Sequence, residues 1–307
     1  MKHLLPSFLT TLLITISLIS CNSSIQENKS AHKPKIVCTT GMIADAMKNI
    51  FKDSAEVTAL MGPGTDPHSY STKPTDMKLL QEADVIVYNG LHLEGKMSDM
   101  LHNLARQKTV IALGDGIPKE NLRKIEGEAT DPHIWFDTPI WITGIKYSLN
   151  KLTEKYPSHK KYLNNNAKQY TTKLNALHLE TRSKIATIPK EQRVLVTAHD
   201  AFSYFGTAYN IEVKPLKGIS TVSETSIKEV NDLIDLILKR KIKAIFVESS
   251  VNPKNIEMIA ETCRQKGHNI TIGGTLFSDA MGAENTPEGT YIGMVQSNVN
   301  TIVNALK

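Results

Sequence analysis

The sequence has few cysteines, no long block of basic residues and no long uninterrupted apolar run. Its 3 cysteines are too few for a disulfide framework. The net charge of +5 comes from short lysine and arginine groups, which are typical of solvated faces and argue against a nucleic-acid groove. The overall composition, 40% hydrophobic and 22% charged, is typical of a soluble globular protein.

Motifs of common enzyme classes are also missing from the sequence. There is no Gly-x-Ser-x-Gly elbow, no His-Glu-x-x-His helix, no Walker loop and no dinucleotide-binding fingerprint. We therefore predict that the chain is not an enzyme.

The first 20 residues have the features of a secretory signal peptide. Lys2 precedes an apolar stretch that is interrupted by serine, threonine and proline, and is too short to span a membrane comfortably. The stretch ends at Leu18-Ile19-Ser20-Cys21, which resembles the bacterial lipobox. We expect residues 1–20 to be removed, Cys21 to be lipidated and residues 21–34 to form a tether to the outer face of a bacterial membrane, in a periplasm or at the cell surface. A chance cysteine behind an ordinary signal peptide is the alternative.

From residue 35 onwards, short β-type runs alternate with helical patterns. This alternation predicts an α/β fold with parallel sheets flanked by helices. It is interrupted at residues 158–188, where apolar residues recur at spacings of three and four and indicate one long helix. We therefore predict an N-terminal α/β lobe at 35–157, a connecting helix at 158–188 and a C-terminal α/β lobe at 189–307. The predicted strands are 35–38, 56–60, 85–89, 110–113, 194–197, 212–216, 244–247 and 269–272.

Four segments place a metal-binding side chain after a predicted strand, which is where ligands bind in open α/β sheets. Two of them carry the same Asp-Pro-His triplet, which ends at His68 and at His133. The third runs from a buried strand into His199, and the fourth ends at Asp279. Taken singly, each residue also fits a simpler role, as a surface histidine or as a residue that begins a helix.

Taken together, these segments resemble the metal-binding family of ABC-importer substrate-binding proteins, of the TroA, ZnuA and PsaA type. The resemblance covers nearly the whole mature chain and includes residues 36–42, 83–94 and 244–248. It implies two lobes joined by one long helix. It also implies partners, an ABC permease and its cytoplasmic ATPase, and one Zn²⁺ or Mn²⁺ ion as the transported ligand. The implied metal ligands are His68, His133, His199 and Asp279.

The resemblance also bears on the choice of metal. Manganese-dedicated relatives typically carry glutamate at the position of His199, and three imidazoles with one carboxylate suit zinc. Zinc-dedicated relatives, however, often carry a long, acidic, histidine-rich loop before the second ligand, and residues 114–130 contain no histidine. We favour zinc and keep manganese as the alternative.

Three further residues are candidates for supporting roles. Asp66 is expected to accept a hydrogen bond from the ring of His68, as carboxylates often do beside metal-bound imidazoles. Glu248 ends a predicted strand and is expected near the ion. His92 follows another strand, and its role stays open between an accessory metal residue and a surface residue.

Two functions from other classes remain as alternatives. A zinc hydrolase is disfavoured because catalytic zinc usually keeps three protein ligands and an open position for water. A metal-stabilised adhesin or structural lipoprotein would retain its ion under mild chelation, whereas a transport protein must release it. We expect a monomer that binds no nucleic acid.

Overall fold

The computed structural model describes residues 33–125 and 129–307, and residues 33–307 cluster as one unit. The predicted signal peptide and nearly all of the predicted tether, including Cys21, lie outside the described residues. In the part of the chain that is described, no helix combines the length and the hydropathy needed to cross a membrane.

The first part of the chain builds a four-stranded parallel sheet in the order β2-β1-β3-β4. Its two central strands, β1 and β3, are rich in valine and isoleucine because helices cover both faces of such a sheet. Pro74 begins α2, the position at which a missing N–H costs a helix nothing. In chain order the elements are β1 (Lys35–Cys38), α1 (Gly41–Phe51), β2 (Glu56–Ala59), α2 (Pro74–Glu82), β3 (Val85–Tyr88), α3 (Ser98–Ala105) and β4 (Thr109–Ala112).

Two helices follow, α4 (Thr138–Lys155) and α5 (Lys160–Ile185). Asp137 caps α4 by accepting a hydrogen bond from the backbone N–H of Ile140 at 3.1 Å. The 26 residues of α5 extend about 39 Å and pack against α1 and α4, and also against two later helices, at Ser203–Tyr209 and Tyr291–Leu306. The apolar stripe that predicted this helix is buried as expected, with Leu163, Ala167, Tyr170, Leu174 and Leu177 facing the core. The division of the chain into two lobes around this helix stays a prediction.

After α5 the alternation of strands and helices restarts. The four strands form two parallel pairs, β5-β6 and β7-β8, and β5 lies beside β7. The last residues of β5 and β7 meet, because Glu248 accepts the backbone N–H of His199, so the carboxyl ends of all four strands lie on the same side. The elements are β5 (Val194–His199), α6 (Ser203–Tyr209), β6 (Glu212–Lys217), α7 (Ile227–Arg240), β7 (Ala244–Glu248), α8 (Lys254–Gln265), β8 (Thr271–Leu276) and α9 (Tyr291–Leu306).

The last strand lies later in the chain than predicted. We expected residues 269–272, but β8 continues through Gly273 and Gly274 to Leu276. A Cβ atom on Gly273 would lie 2.7 Å from the side chains of Phe246 and Ala305. These glycines thus belong to a strand packed closely by its neighbours, although glycine pairs more often mark a loop.

One continuous core joins the first part of the chain to the last. Phe136, just before α4, stacks on Phe202 with ring centroids 4.3 Å apart. Trp141 in α4 stacks on Tyr291 in α9 at 5.7 Å. The segment that carries His133 is therefore packed firmly against elements that follow α5.

Candidate metal centre

Four side chains from distant parts of the sequence meet at one buried point: His68, His133, His199 and Asp279. Each offers one ligand atom, and these atoms all lie within 4.8 Å of one another. Oxygens of Asp279 lie 3.2 Å from Nε2 of His199 and 3.5 Å from Nε2 of His133. Nε2 of His68 lies 3.2 Å from Nε2 of His133 and 3.9 Å from Oδ2 of Asp279. A tetrahedral ion with bonds of about 2.0–2.2 Å separates its ligand atoms by roughly 3.3–3.6 Å, so the spacing suits one such ion.

The ends of parallel strands bring these residues together. His68 follows β2, His199 is the last residue of β5, and Asp279 follows β8. His133 has a different setting, since it immediately precedes a short 3-10 turn, Ile134–Phe136, that leads into α4. Three of the four ligands thus follow the rule that sites form beyond the carboxyl ends of strands.

The ligand atoms are buried and poorly supplied with hydrogen-bond donors. The exposed fraction of the residue is 8% for His68, 1% for Asp279 and 0% for both His133 and His199. Within the described residues, Nε2 of His199 and both carboxylate oxygens of Asp279 have no hydrogen-bond partner. Buried polar atoms are nearly always paired, so this group has the character of a cation site.

Two of the imidazoles are held from behind by buried carboxylates. Nδ1 of His133 bonds to Oδ1 of Asp131 at 2.8 Å, and Nδ1 of His199 bonds to Oε2 of Glu248 at 2.5 Å. Each bond holds a proton on Nδ1, so Nε2 is the nitrogen that faces the ion and that gives up any proton when metal binds. Glu248 had been expected near the ion, whereas Asp131 was overlooked although it lies in the same triplet as His133.

Asp66 has a different contact from the predicted one. Its Oδ1 accepts a hydrogen bond from the backbone N–H of His68 at 2.9 Å and not from the imidazole ring. Its Oδ2 accepts hydrogen bonds from the hydroxyls of Ser69 at 2.7 Å and Thr221 at 2.6 Å. Asp66 therefore fixes the loop that carries His68 and does not fix the ring.

Trp135 connects two of the ligand segments in a way that the sequence did not reveal. Its indole N–H donates to the backbone carbonyl of Ser278 at 3.0 Å, and its own carbonyl accepts from the Tyr291 hydroxyl at 2.7 Å. Because Trp135 follows His133 by two positions and Ser278 precedes Asp279, the contact fixes His133 and Asp279 relative to each other.

Burial and the charges of neighbouring side chains shift the pKa values of all four ligand residues. Burial alone would raise the pKa of Asp279, but the facing imidazoles of His199 and His133 outweigh it and hold the pKa well below its usual value. Burial would lower the pKa of His133, but Asp131 and Asp279 together raise it to about 9. Glu248 and Asp279 likewise raise the pKa of His199 well above its usual value. Burial dominates at His68 and lowers its pKa to about 4.

His92 lies at the edge of the site without joining it. It is exposed, adopts a left-handed backbone with a φ of 64°, and lines an open cavity that His68 also lines. Within the described residues, the group of side chains able to hold an ion does not include it.

Comparison with known proteins bears directly on this geometry. Residues 36–305 match the family described as ZnuA, zinc-uptake complex component A, periplasmic. The chain belongs to this family. Its similarity to individual members extends over nearly the full length of both proteins.

Two relatives show comparable similarity and carry different metals in their names. The chain is 45% identical to the manganese-binding lipoprotein MntA of Bacillus subtilis, over 96% of this chain and 97% of that protein. It is 44% identical to the zinc-binding protein TroA of Treponema pallidum, over 89% of each. The solved structure of that periplasmic zinc-binding protein superposes with a TM-score of 0.87 at 44% identity, and covers 89% of this chain and 99% of the other. The fold and the family are thus shown, and both metals occur among close relatives.

Proposed function

We propose that this chain captures one Zn²⁺ or Mn²⁺ ion outside the cytoplasm and delivers it to an ABC-type membrane permease. The observation that carries the proposal is the buried group of His68, His133, His199 and Asp279, with ligand atoms at the spacing of a tetrahedral ion. Family membership supports the transport role, since the relatives include substrate-binding lipoproteins of manganese ABC transporters.

The chemistry of the site favours binding over catalysis. Catalytic zinc keeps an open position for water, whereas here four protein side chains converge on one point and would fill all four positions of a tetrahedral ion. The alternative of a structural metal is disfavoured because an extensive core joins the described chain without help from an ion. We therefore propose a protein that binds and releases its metal and has no enzymatic activity.

We also propose where the protein is located and how its domains are organised. The chain is exported, and a lipid on Cys21 anchors it to the outer face of a bacterial membrane through the tether at 21–34. It acts as a monomer with one lobe at 35–157 and another at 189–307, joined by the helix within 158–188. The relatives named as lipoproteins support the lipid anchor.

Metal titration of the stripped protein tests the proposal. We expect one ion per chain, with zinc bound more tightly than manganese because it stands higher in the Irving–Williams order. His199→Ala should weaken zinc binding by more than about 100-fold, the upper range for outer residues that merely support a ligand. His102→Ala, which removes an exposed histidine of α3, is the matched control and should bind normally.

Two results would contradict this function. Unchanged zinc affinity in His199→Ala would remove the ligand assignment. Unfolding of the protein on mild chelation, followed by circular dichroism, would favour a structural ion over a transported one.

A further inference from the structure

The four ligand side chains are not held equally. The rings of His133 and His199 each bond to a buried carboxylate through Nδ1, and the backbone beside Asp279 accepts an indole N–H. In the described part of the chain, Nδ1 of His68 has no such partner, and His68 is the most exposed of the four residues. His68 is therefore the ligand whose movement disturbs the fewest contacts.

The loop that carries His68 is attached to a remote part of the chain through Asp66. One oxygen of Asp66 holds the backbone N–H of His68, and the other accepts the hydroxyl of Thr221 at 2.6 Å. Asp66 and Thr221 are 155 positions apart in sequence. This single side-chain contact thus fastens the loop after β2 to the segment that joins β6 to α7.

The same segment borders the path from His68 to solvent. Its residues Gly218, Ile219 and Ser220 line the open cavity that His68 also lines. The segment has its own anchor, because Lys217 donates from Nζ to the backbone carbonyl of Thr221 at 3.2 Å. A change of the Thr221 side chain therefore removes the bond to Asp66 and leaves the backbone contact in place.

We propose that Thr221 is a positioning residue for metal exchange: its bond to Asp66 holds the His68 loop across the mouth of the site, and breaking that bond lets the ion pass beside His68. The proposal rests on the function proposed above. It identifies the side of the site on which the ion enters and leaves.

The expected effect falls on rates more than on equilibrium. Neither Thr221 nor Asp66 supplies a ligand atom, so their bond stabilises the closed mouth to a similar degree with and without the ion. Its loss should then speed entry and release together. A hydrogen bond to a charged group at a partly buried position changes such an equilibrium by about a factor of ten, so we expect both rates to rise about tenfold.

Stopped-flow exchange of Zn²⁺ provides the test. The full chain is loaded with one equivalent of Zn²⁺ and mixed with excess chromophoric chelator, and association is measured separately. Thr221→Val should release zinc about tenfold faster and change the equilibrium affinity less than about threefold. Thr221→Ser keeps the hydroxyl and should restore the slow rate. Thr262→Val, which removes an exposed helix hydroxyl that bonds to its own helix, is the control and should behave as the unmodified protein does.

A double variant links the effect to Asp66. If the two residues act through one bond, adding Thr221→Val to Asp66→Ala should not speed release beyond that of Asp66→Ala alone. An unchanged release rate in Thr221→Val, an equally fast Thr221→Ser, or additive effects in the double variant would each overturn the proposal. In those cases the unmodified protein would still bind one zinc ion through His199, so failure of the transport function itself would be recognised separately.

Discussion

Replacing Glu248 by glutamine should weaken zinc binding by about 10–100-fold while the metal-free protein stays folded. Oε1 of Glu248 accepts the backbone N–H groups of Ala198 at 2.7 Å and of His199 at 2.9 Å, and Oε2 meets Nδ1 of the His199 ring. Glutamine keeps a carbonyl oxygen for the two backbone donors. Its NH₂ group cannot accept from Nδ1–H, so His199 must move its proton to Nε2 to remain paired, and that is the atom that faces the ion.

The size of the loss in zinc affinity distinguishes a role of Glu248 in holding the His199 ring from a purely structural role. A 10–100-fold loss of affinity corresponds to about 1.4–2.8 kcal/mol, and it should appear in Glu248→Gln with little change in thermal stability. Glu248→Ala should in addition leave two buried backbone N–H groups unpaired, at about 1–3 kcal/mol each, and lower the unfolding temperature of the metal-free protein.

Competitive zinc titration and thermal denaturation of stripped protein measure the two effects. Glu94 offers a matched control, because it is a buried glutamate that accepts the backbone N–H groups of Asn89 and Gly90 but contacts none of the four ligands. Glu94→Gln should cost stability and leave zinc affinity unchanged. Zinc affinity within about threefold of normal in Glu248→Gln would refute the tautomer argument, since such a change is below the range expected for a ligand's supporting residue.

Two further predictions concern protons and the indole contact. The pKa of His133 is raised to about 9, so its ring is protonated at neutral pH and must lose a proton before it can bind metal. Zinc affinity should therefore rise as the pH increases towards about 9, and each bound ion should release at least one proton. Calorimetry in buffers of different ionisation enthalpy measures this release, and an affinity independent of pH across the neutral range would contradict it. Trp135→Phe leaves the buried carbonyl of Ser278 without its donor and should lower the free energy of unfolding in urea by about 1–3 kcal/mol. It should also weaken zinc binding because Ser278 adjoins Asp279, and a variant of normal stability would show that the bond is dispensable.

Local sequence patterns were sufficient to predict most of the elements. Runs of valine and isoleucine predict strands of a sheet covered on both faces, and such runs occur at β1, β3 and β5. A single apolar stripe predicts a helix with one side facing the core, as in α5. The end of β8 was mispredicted because Gly273 and Gly274 look like a turn. The structure shows the reason for glycine at this position: the side chain of Phe246 packs so closely against the strand that a Cβ atom at Gly273 would collide with it.

The supporting contacts of the site were harder to predict because two identical triplets behave differently. In both, the aspartate accepts the backbone N–H of the histidine two positions later. Only Asp131 also meets the ring. Oδ1 of Asp131 accepts both the backbone N–H and the ring Nδ1–H of His133, whereas Oδ1 of Asp66 accepts the backbone N–H of His68 alone. The second oxygen of Asp66 bonds to the hydroxyls of Ser69 and Thr221, and Ile134, at the place that corresponds to Ser69, has no hydroxyl. A partner such as Thr221, 155 positions away, leaves no signal in a local pattern.

The packing of the core limits how widely the site can open. The stacked pairs of Phe136 with Phe202 and of Trp141 with Tyr291 join residues before α5 to residues after it. Exposing four such rings would cost roughly 6–12 kcal/mol at about 1.5–3 kcal/mol each, which is comparable to the whole stability of a domain. Breaking the bond between Asp66 and Thr221 costs only a small part of that. Metal exchange should therefore proceed by a local movement of the His68 loop, with both stacked aromatic pairs intact.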